Sequence, residues 1–231
     1  MVPSEKKTIV VVPAYNEEKT IKEVIFRTKK YADIFIVNDG SKDETENILK
    51  SMGVPYLTHK KNTHIPQSII DGMKYAIEKD YDYIITMDAG LSHLPEEIPI
   101  FLTKEHSDLV IGVRKDKKNV PFYRTLLTKT AKILINFALQ PIGSKLSKPH
   151  FNDVTSGYRR YSNKAARLLI NHEIKAKSFD IHTETLMIIY RNGLSILEVP
   201  ITYVFSNSSL NKKVIFDSFK MFLDILFFNR K

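Results

Sequence analysis

No cysteine occurs among the 231 residues, so disulfides and thiolate metal sites are excluded and a reducing compartment is natural. No apolar run is long enough to cross a bilayer. The segment Met1–Lys7 is polar and leads straight into an expected strand, so no signal peptide is expected. Repeats and low-complexity tracts are absent. Also missing is the Gly-x-Gly-x-x-Gly turn that seats a pyrophosphate where a first strand meets a first helix. What is there is ordinary apolar content, enough for one sizeable core, and a formal charge of +9. That charge suits nucleic acid, an anionic membrane or a phosphorylated substrate. Pro121–Pro141 and Lys212–Lys231 combine Lys/Arg with large apolar residues, a pattern closer to a lipid interface than to a nucleic-acid groove, so no nucleic-acid partner is expected.

Short β-branched runs alternate with amphipathic stretches in the first half. Strands are expected at Thr8–Val12, Ile34–Asn38, Pro55–Thr58, Tyr83–Met87 and Asp108–Val113, and helices at Glu17–Tyr31, Asp43–Met52, Pro66–Lys79 and Pro95–Lys104. This alternation implies an α/β fold with a mainly parallel sheet covered on both faces, whose ligands lie beyond the carboxyl ends of the strands. After Asn119 the pattern changes to a helix at Tyr123–Leu139, a turn-rich segment Asn152–Arg160, helices at Asn163–Asn171 and His182–Asn192, and a strand at Ser195–Tyr203. Lys213–Phe228 reads as an amphipathic helix, with Asp217, Lys220 and Asp224 opposite Ile215, Phe219, Phe222 and Leu226.

Three segments fall at strand ends. In Pro13-Ala14-Tyr15-Asn16-Glu17-Glu18 the acids suit a helix N-terminus and Asn16 suits its N-cap. The same acids repel phosphate, so a nucleotide here would present its base or ribose. In Asn38-Asp39-Gly40-Ser41-Lys42-Asp43-Glu44, Ser41 and Glu44 have capping-box spacing, and Asp39 is left to accept bonds from a base N–H or a ribose hydroxyl. In Met87-Asp88-Ala89-Gly90-Leu91-Ser92-His93-Leu94-Pro95, Asp88 is placed to hold a divalent cation together with diphosphate oxygens. Each segment alone is also an ordinary capped helix or turn.

Together they resemble family-2 glycosyltransferases of the GT-A fold, and within them dolichol-phosphate mannose synthases and related polyprenyl-phosphate glycosyltransferases. Met87–Pro95 resembles the Met-Asp-Ala-Asp-Leu-Ser-His-x-Pro of that family, and Asp153-Val-Thr-Ser-Gly-Tyr-Arg-Arg-Tyr161 its Asp-x-Thr-Ser-Gly-Phe-Arg-x-Tyr. Glu184, Gly193 and Glu198-Val-Pro-Ile201 complete the series. The resemblance implies a GT-A domain over residues 1–210, followed by a C-terminal amphipathic, membrane-associated helix over 211–231. It implies that Pro13, Tyr15, Glu17 and Asp39 hold the nucleoside of a GDP- or UDP-sugar, that Asp88 reaches Mg²⁺ or Mn²⁺ and the diphosphate, and that Arg114 and Arg124 pair with phosphates. Asp153, Ser156 and Arg159 would line the reaction centre or acceptor side, and Glu184 would face the site from the helix beyond. The implied reaction is inverting transfer to a polyprenyl phosphate at the cytoplasmic face of a membrane. A polyprenyl phosphate oxygen is already an anion, whereas a hydroxyl acceptor, as in surface polysaccharide synthesis, needs a general base, for which Asp153 is the candidate. A catalytically weak nucleotide-binding homologue is a further reading. Departures bear on these expectations. The second Asp of Asp-x-Asp is Gly90, the glycine-rich stretch before the third helix is Asn62-Thr-His-Ile-Pro66, and an expected Arg and Ser-Lys pair is Ser206-Asn-Ser-Ser209.

Overall fold

The computed structural model describes residues 6–104, 107–118, 122–139 and 150–205. The expected C-terminal helix lies outside them. Seven strands form one sheet in the order β3-β2-β1-β4-β6-β5-β7. They are β1 (Thr8–Ala14), β2 (Asp33–Asn38), β3 (Tyr56–Thr58), β4 (Tyr83–Thr86), β5 (Leu109–Lys118), β6 (Arg159–Ser162) and β7 (Ile196–Val204). The helices are α1 (Ile21–Thr28), α2 (Thr45–Met52), α3 (His64–Glu78), α4 (Ile98–Leu102), α5 (Phe122–Ala138), α6 (Asn163–Ile170) and α7 (Ile181–Arg191).

The strands read as continuous apolar runs because both faces of the sheet are buried. Successive residues point to opposite faces. Ile9, Val11, Phe35, Val37 and Ile84 enter a core with residues of α3, α6 and α7. Val10, Val12, Ile34, Ile36 and Ile85 enter a second core with residues of α1, α2 and α4.

All pairings are parallel except those of β6, which runs antiparallel between β4 and β5. The sequence reading placed Arg159 and Arg160 in a turn. Both are fully buried strand residues. Arg160 stacks over the Tyr83 ring, 4.0 Å from its centroid, and donates to the carbonyls of Lys104 and Ser107.

Two expected caps are corrected. Helix α1 starts at Ile21, after Thr20, and Asn16 sits earlier in a left-handed turn with φ 56°. The Asn16 side chain accepts from Lys42 N–H at 2.8 Å and its N–H donates to Ser41 Oγ at 3.0 Å. Ser41 therefore serves the first loop, and α2 begins after Glu44 with no side-chain cap. These bonds zip the loops after β1 and β2 together.

Candidate active site

The carboxyl ends of β1, β2, β4 and β5 open at one edge, and β6, running the other way, brings the loop before it to that edge. Asp39 and Asp88 follow β2 and β4, on either side of β1, about 10 Å apart at two strand spacings. Half-buried Pro13 and 42%-exposed Tyr15 lie at the end of β1. Glu17 comes next; burial pushes its carboxyl upward, and the charges of Asp88 and Asp43 add to this. Glu17 and Asp88 therefore share one electrostatic environment.

The Asp88 side chain is 43% exposed. Its backbone N–H donates to His93 Nδ1 at 3.3 Å, which leaves that nitrogen unprotonated. His93 is buried against Tyr158 and Tyr203, with ring centroids 4.9 and 5.8 Å away, and burial depresses its basicity. It braces the Asp88 turn. Among the described residues, no group of three His, Asp or Glu side chains forms a metal cluster. Asp88 nevertheless suits one cation completed by diphosphate oxygens, because it is exposed and lies beside a second acid.

Asp39 is placed as expected, but its carboxylate is already engaged. Oδ1 accepts from Thr63 N–H at 2.7 Å, from Thr63 Oγ1 at 2.8 Å and from His59 Nδ1 at 2.7 Å. Oδ2 accepts from His64 N–H at 2.8 Å. The donors stand 20 to 25 residues away, in a loop with no motif to announce them.

Arg114, on β5, meets Asp153 from the loop before β6. Nε and Nη2 each approach a carboxylate oxygen at 2.7 Å, and Nη2 also reaches Thr155 Oγ1 at 2.6 Å. Burial alone would raise the Asp153 pKa, but the forked ion pair outweighs it and holds this carboxyl below the usual range. Arg114 is correspondingly harder to deprotonate. A general base needs a free lone pair and a pKa near the working pH. Both Asp153 oxygens are taken by Arg114, and this carboxylate orients that guanidinium.

Ser156 and Arg159 reach the site differently from expectation. Arg159 has no exposed surface; it donates to the carbonyls of Ser156, Val154 and His182, tying the loop before β6 to α7. Ser156 is fully buried, and its Oγ has no hydrogen-bond partner. Glu184 is engaged by the loop before α7. It accepts from Lys175 N–H at 2.9 Å and Ala176 N–H at 2.7 Å, and burial raises its carboxyl. Arg124 lies on the first turn of α5, and its side chain is outside what the structure describes.

Sequence reasoning named Glu198 only as part of a motif, without a role, and missed His182. Glu198 accepts from the Asn152 and Asp153 backbone N–H groups at 2.6 and 3.2 Å and sets the loop that carries Asp153. His182, 4% exposed, lies where a Cβ on Gly157 would be 2.8 Å from its Nε2 and 3.5 Å from Asp88 Oδ1. The glycine in Thr-Ser-Gly was the available signal: only a residue without a side chain passes between these two groups.

Comparison with known proteins agrees with this arrangement. Residues 9–167 match the model of glycosyl transferase family 2. The chain is 31% identical to a UDP-N-acetylglucosamine–dolichyl-phosphate N-acetylglucosaminyltransferase of Methanococcus voltae, with 96% of each chain covered. It is 26% identical to a polyprenol monophosphomannose synthase of Mycolicibacterium smegmatis, covering 86% of this chain and 77% of that one. In fold it is similar to glucosyl-3-phosphoglycerate synthase of Mycobacterium tuberculosis, solved with Mn²⁺, UDP and phosphoglyceric acid, at a TM-score of 0.72, 16% identity and coverage of 96% of this chain and 78% of that one. With its GT-A sheet and its match over residues 9–167, the chain belongs to glycosyl transferase family 2.

Proposed function

We propose that the enzyme moves a sugar from a uridine or guanosine diphosphate sugar to the phosphate of a polyprenyl phosphate, with inversion at the anomeric carbon. The observation that carries the acceptor is Asp153. Both its oxygens are bound by Arg114, which makes the residue best placed to deprotonate a hydroxyl a weak base and favours an acceptor that needs none. A phosphate acceptor needs no base. The named acceptors of the Methanococcus and Mycolicibacterium relatives support the same reading.

Pro13, Tyr15, Glu17 and Asp39 form the nucleoside side. Arg114 offers its Nη1 hydrogens to phosphate. Its charge is balanced by Asp153, so it supplies directed donors rather than net charge. Mg²⁺ or Mn²⁺ held at Asp88 would supply the positive charge that stabilises the departing diphosphate. With Gly90 in place of a second carboxylate, that site has one protein acid and is correspondingly weak. Ser156 lies buried in the loop before β6, which Arg159 fixes, so that loop rather than the Ser156 hydroxyl forms the acceptor side.

The reaction is proposed to occur at the cytoplasmic face of a membrane. Ile133 and Phe137 on α5 are 68% and 59% exposed, and exposed Lys129 lies on the same four-residue stripe. Among the described residues no helix is long and apolar enough to cross a membrane. Flotation with anionic liposomes tests this: co-migration at low salt that weakens in Ile133→Ser/Phe137→Ser supports it, and no co-migration removes it. The activity itself is tested by product analysis with nucleotide sugars and a polyprenyl phosphate. Formation of a lipid-linked sugar phosphate is the expected result, and tight nucleotide binding without turnover on any donor would favour a silent homologue.

A further inference from the structure

Resting on the nucleoside placement above, we infer that His59 and Thr63 set the choice of base, restricting Asp39 to a ligand edge that offers one hydrogen-bond donor, as uracil does. A carboxylate has about four lone-pair sites. Two of these belong to each oxygen, and those of Oδ1 are filled: Thr63 N–H takes one, and Thr63 Oγ1 and the His59 ring, themselves 2.9 Å apart, compete for the other. Only His64 N–H reaches Oδ2. One acceptor position remains, on Oδ2, and the side chain keeps 6% of its surface to receive a partner.

The loop that imposes this shell is firmly seated. His59 is only 10% exposed; its Nδ1 is 2.7 Å from Asp39 Oδ1, and its Nε2 lies 3.3 Å from Asp71 Oδ2 without a hydrogen bond. Asp71 is anchored in turn by Gln67 Nε2 at 2.7 Å and Lys74 Nζ at 3.0 Å. Gly40, with φ +72°, lets the loop approach so closely that a Cβ there would be 2.7 Å from Lys61 C. His64 holds a left-handed φ of 71°, which aims its N–H at Asp39.

The three common bases differ at the edge that meets such a carboxylate. Uracil offers a single N3–H. Guanine offers N1–H and N2–H side by side, a pair that both oxygens of a free carboxylate would take. Here Oδ1 is already filled, so one guanine donor is desolvated without a partner. Cytosine can give Oδ2 an N4–H only by bringing the N3 lone pair alongside the carboxylate, and that repulsion opposes it. Leaving a buried donor unmade weakens binding by about 10- to 100-fold.

The test is calorimetric binding of UDP, GDP and CDP to the full chain with Mn²⁺, in the wild type and in His59→Phe/Thr63→Val and Asp39→Ala. His59→Phe/Thr63→Val leaves Thr63 N–H as the one donor of the three on Oδ1 and so frees an acceptor position there. The expected result is UDP tighter than GDP and CDP by 10-fold or more, with the UDP/GDP ratio narrowing in His59→Phe/Thr63→Val. GDP binding as tightly as UDP, or a ratio unchanged in His59→Phe/Thr63→Val, would overturn the inference while leaving the nucleoside site intact, provided Asp39→Ala weakens every nucleotide. Nucleotide binding unaffected by Asp39→Ala would instead remove the nucleoside placement itself, and this inference with it.

Discussion

Asp88 and Asp153 lie in one crevice under opposite conditions. Asp88 is exposed, with the His93 ring nitrogen 3.5 Å from its carboxylate, whereas Asp153 is 3% exposed and held by a guanidinium. Their substitutions should therefore fail differently. Asp88→Asn is expected to lower turnover by about 100-fold or more, with an unchanged thermal midpoint, because it removes charge stabilisation and no packing. Asp153→Ala leaves a buried, unpaired Arg114 and is expected to cost about 3–5 kcal/mol of stability, read from urea denaturation. Equal thermal shifts in the two variants would contradict this division. Asp39 and Asp88 were legible because each follows a recognisable apolar strand, and Asp153 because it opens the Asp153–Tyr161 motif. Their partners were not legible. Arg114 is 39 residues from Asp153, and local spacing carries no trace of a pair closed by the order of strands in a sheet.

The elements show the same limit. Strands buried on both faces were readable as apolar runs. β6 was not, since two arginines in four residues resemble a solvated turn unless the sheet supplies carbonyls and a tyrosine ring to receive them. The starts of α1 and α2 were expected too early, because cap-like residues after β1 and β2 bond to each other's loops instead. Where helix meets sheet, Gly72 of α3 rests on β1: a Cβ there would be 2.2 Å from Val11 Cγ1. Gly72→Ala is expected to destabilise by about 1–3 kcal/mol through overpacking, despite the better helix propensity of alanine. A gain in urea midpoint would show that α3 sits looser on the sheet than described.

For the whole molecule, buried titratable groups set the acid limit. Burial holds the His93 and His182 pKa values below the usual 6.5, that of His182 well below, with the Arg159 charge acting in the same sense. The unfolded chain thus takes up protons that the native protein refuses. Stability is fully present above the unfolded histidine pKa of about 6.5 and falls below it, by up to about 1.4 kcal/mol per pH unit for each residue. Asp153, depressed in the folded state, adds a second loss only as the pH drops below the unfolded carboxylate pKa of about 4. Urea midpoints at pH 7.5 and 5.5 should differ, and His182→Gln should reduce the difference; a flat profile would contradict the burial of neutral imidazoles. The central claim concerns the acceptor, and one assay meets it directly. The purified chain is incubated with labelled nucleotide sugars, Mn²⁺ and either a polyprenyl phosphate or the corresponding polyprenol. Label entering the lipid only when the phosphate is present is the predicted result; label transferred equally to the bare alcohol, or to a sugar hydroxyl in its place, would contradict it.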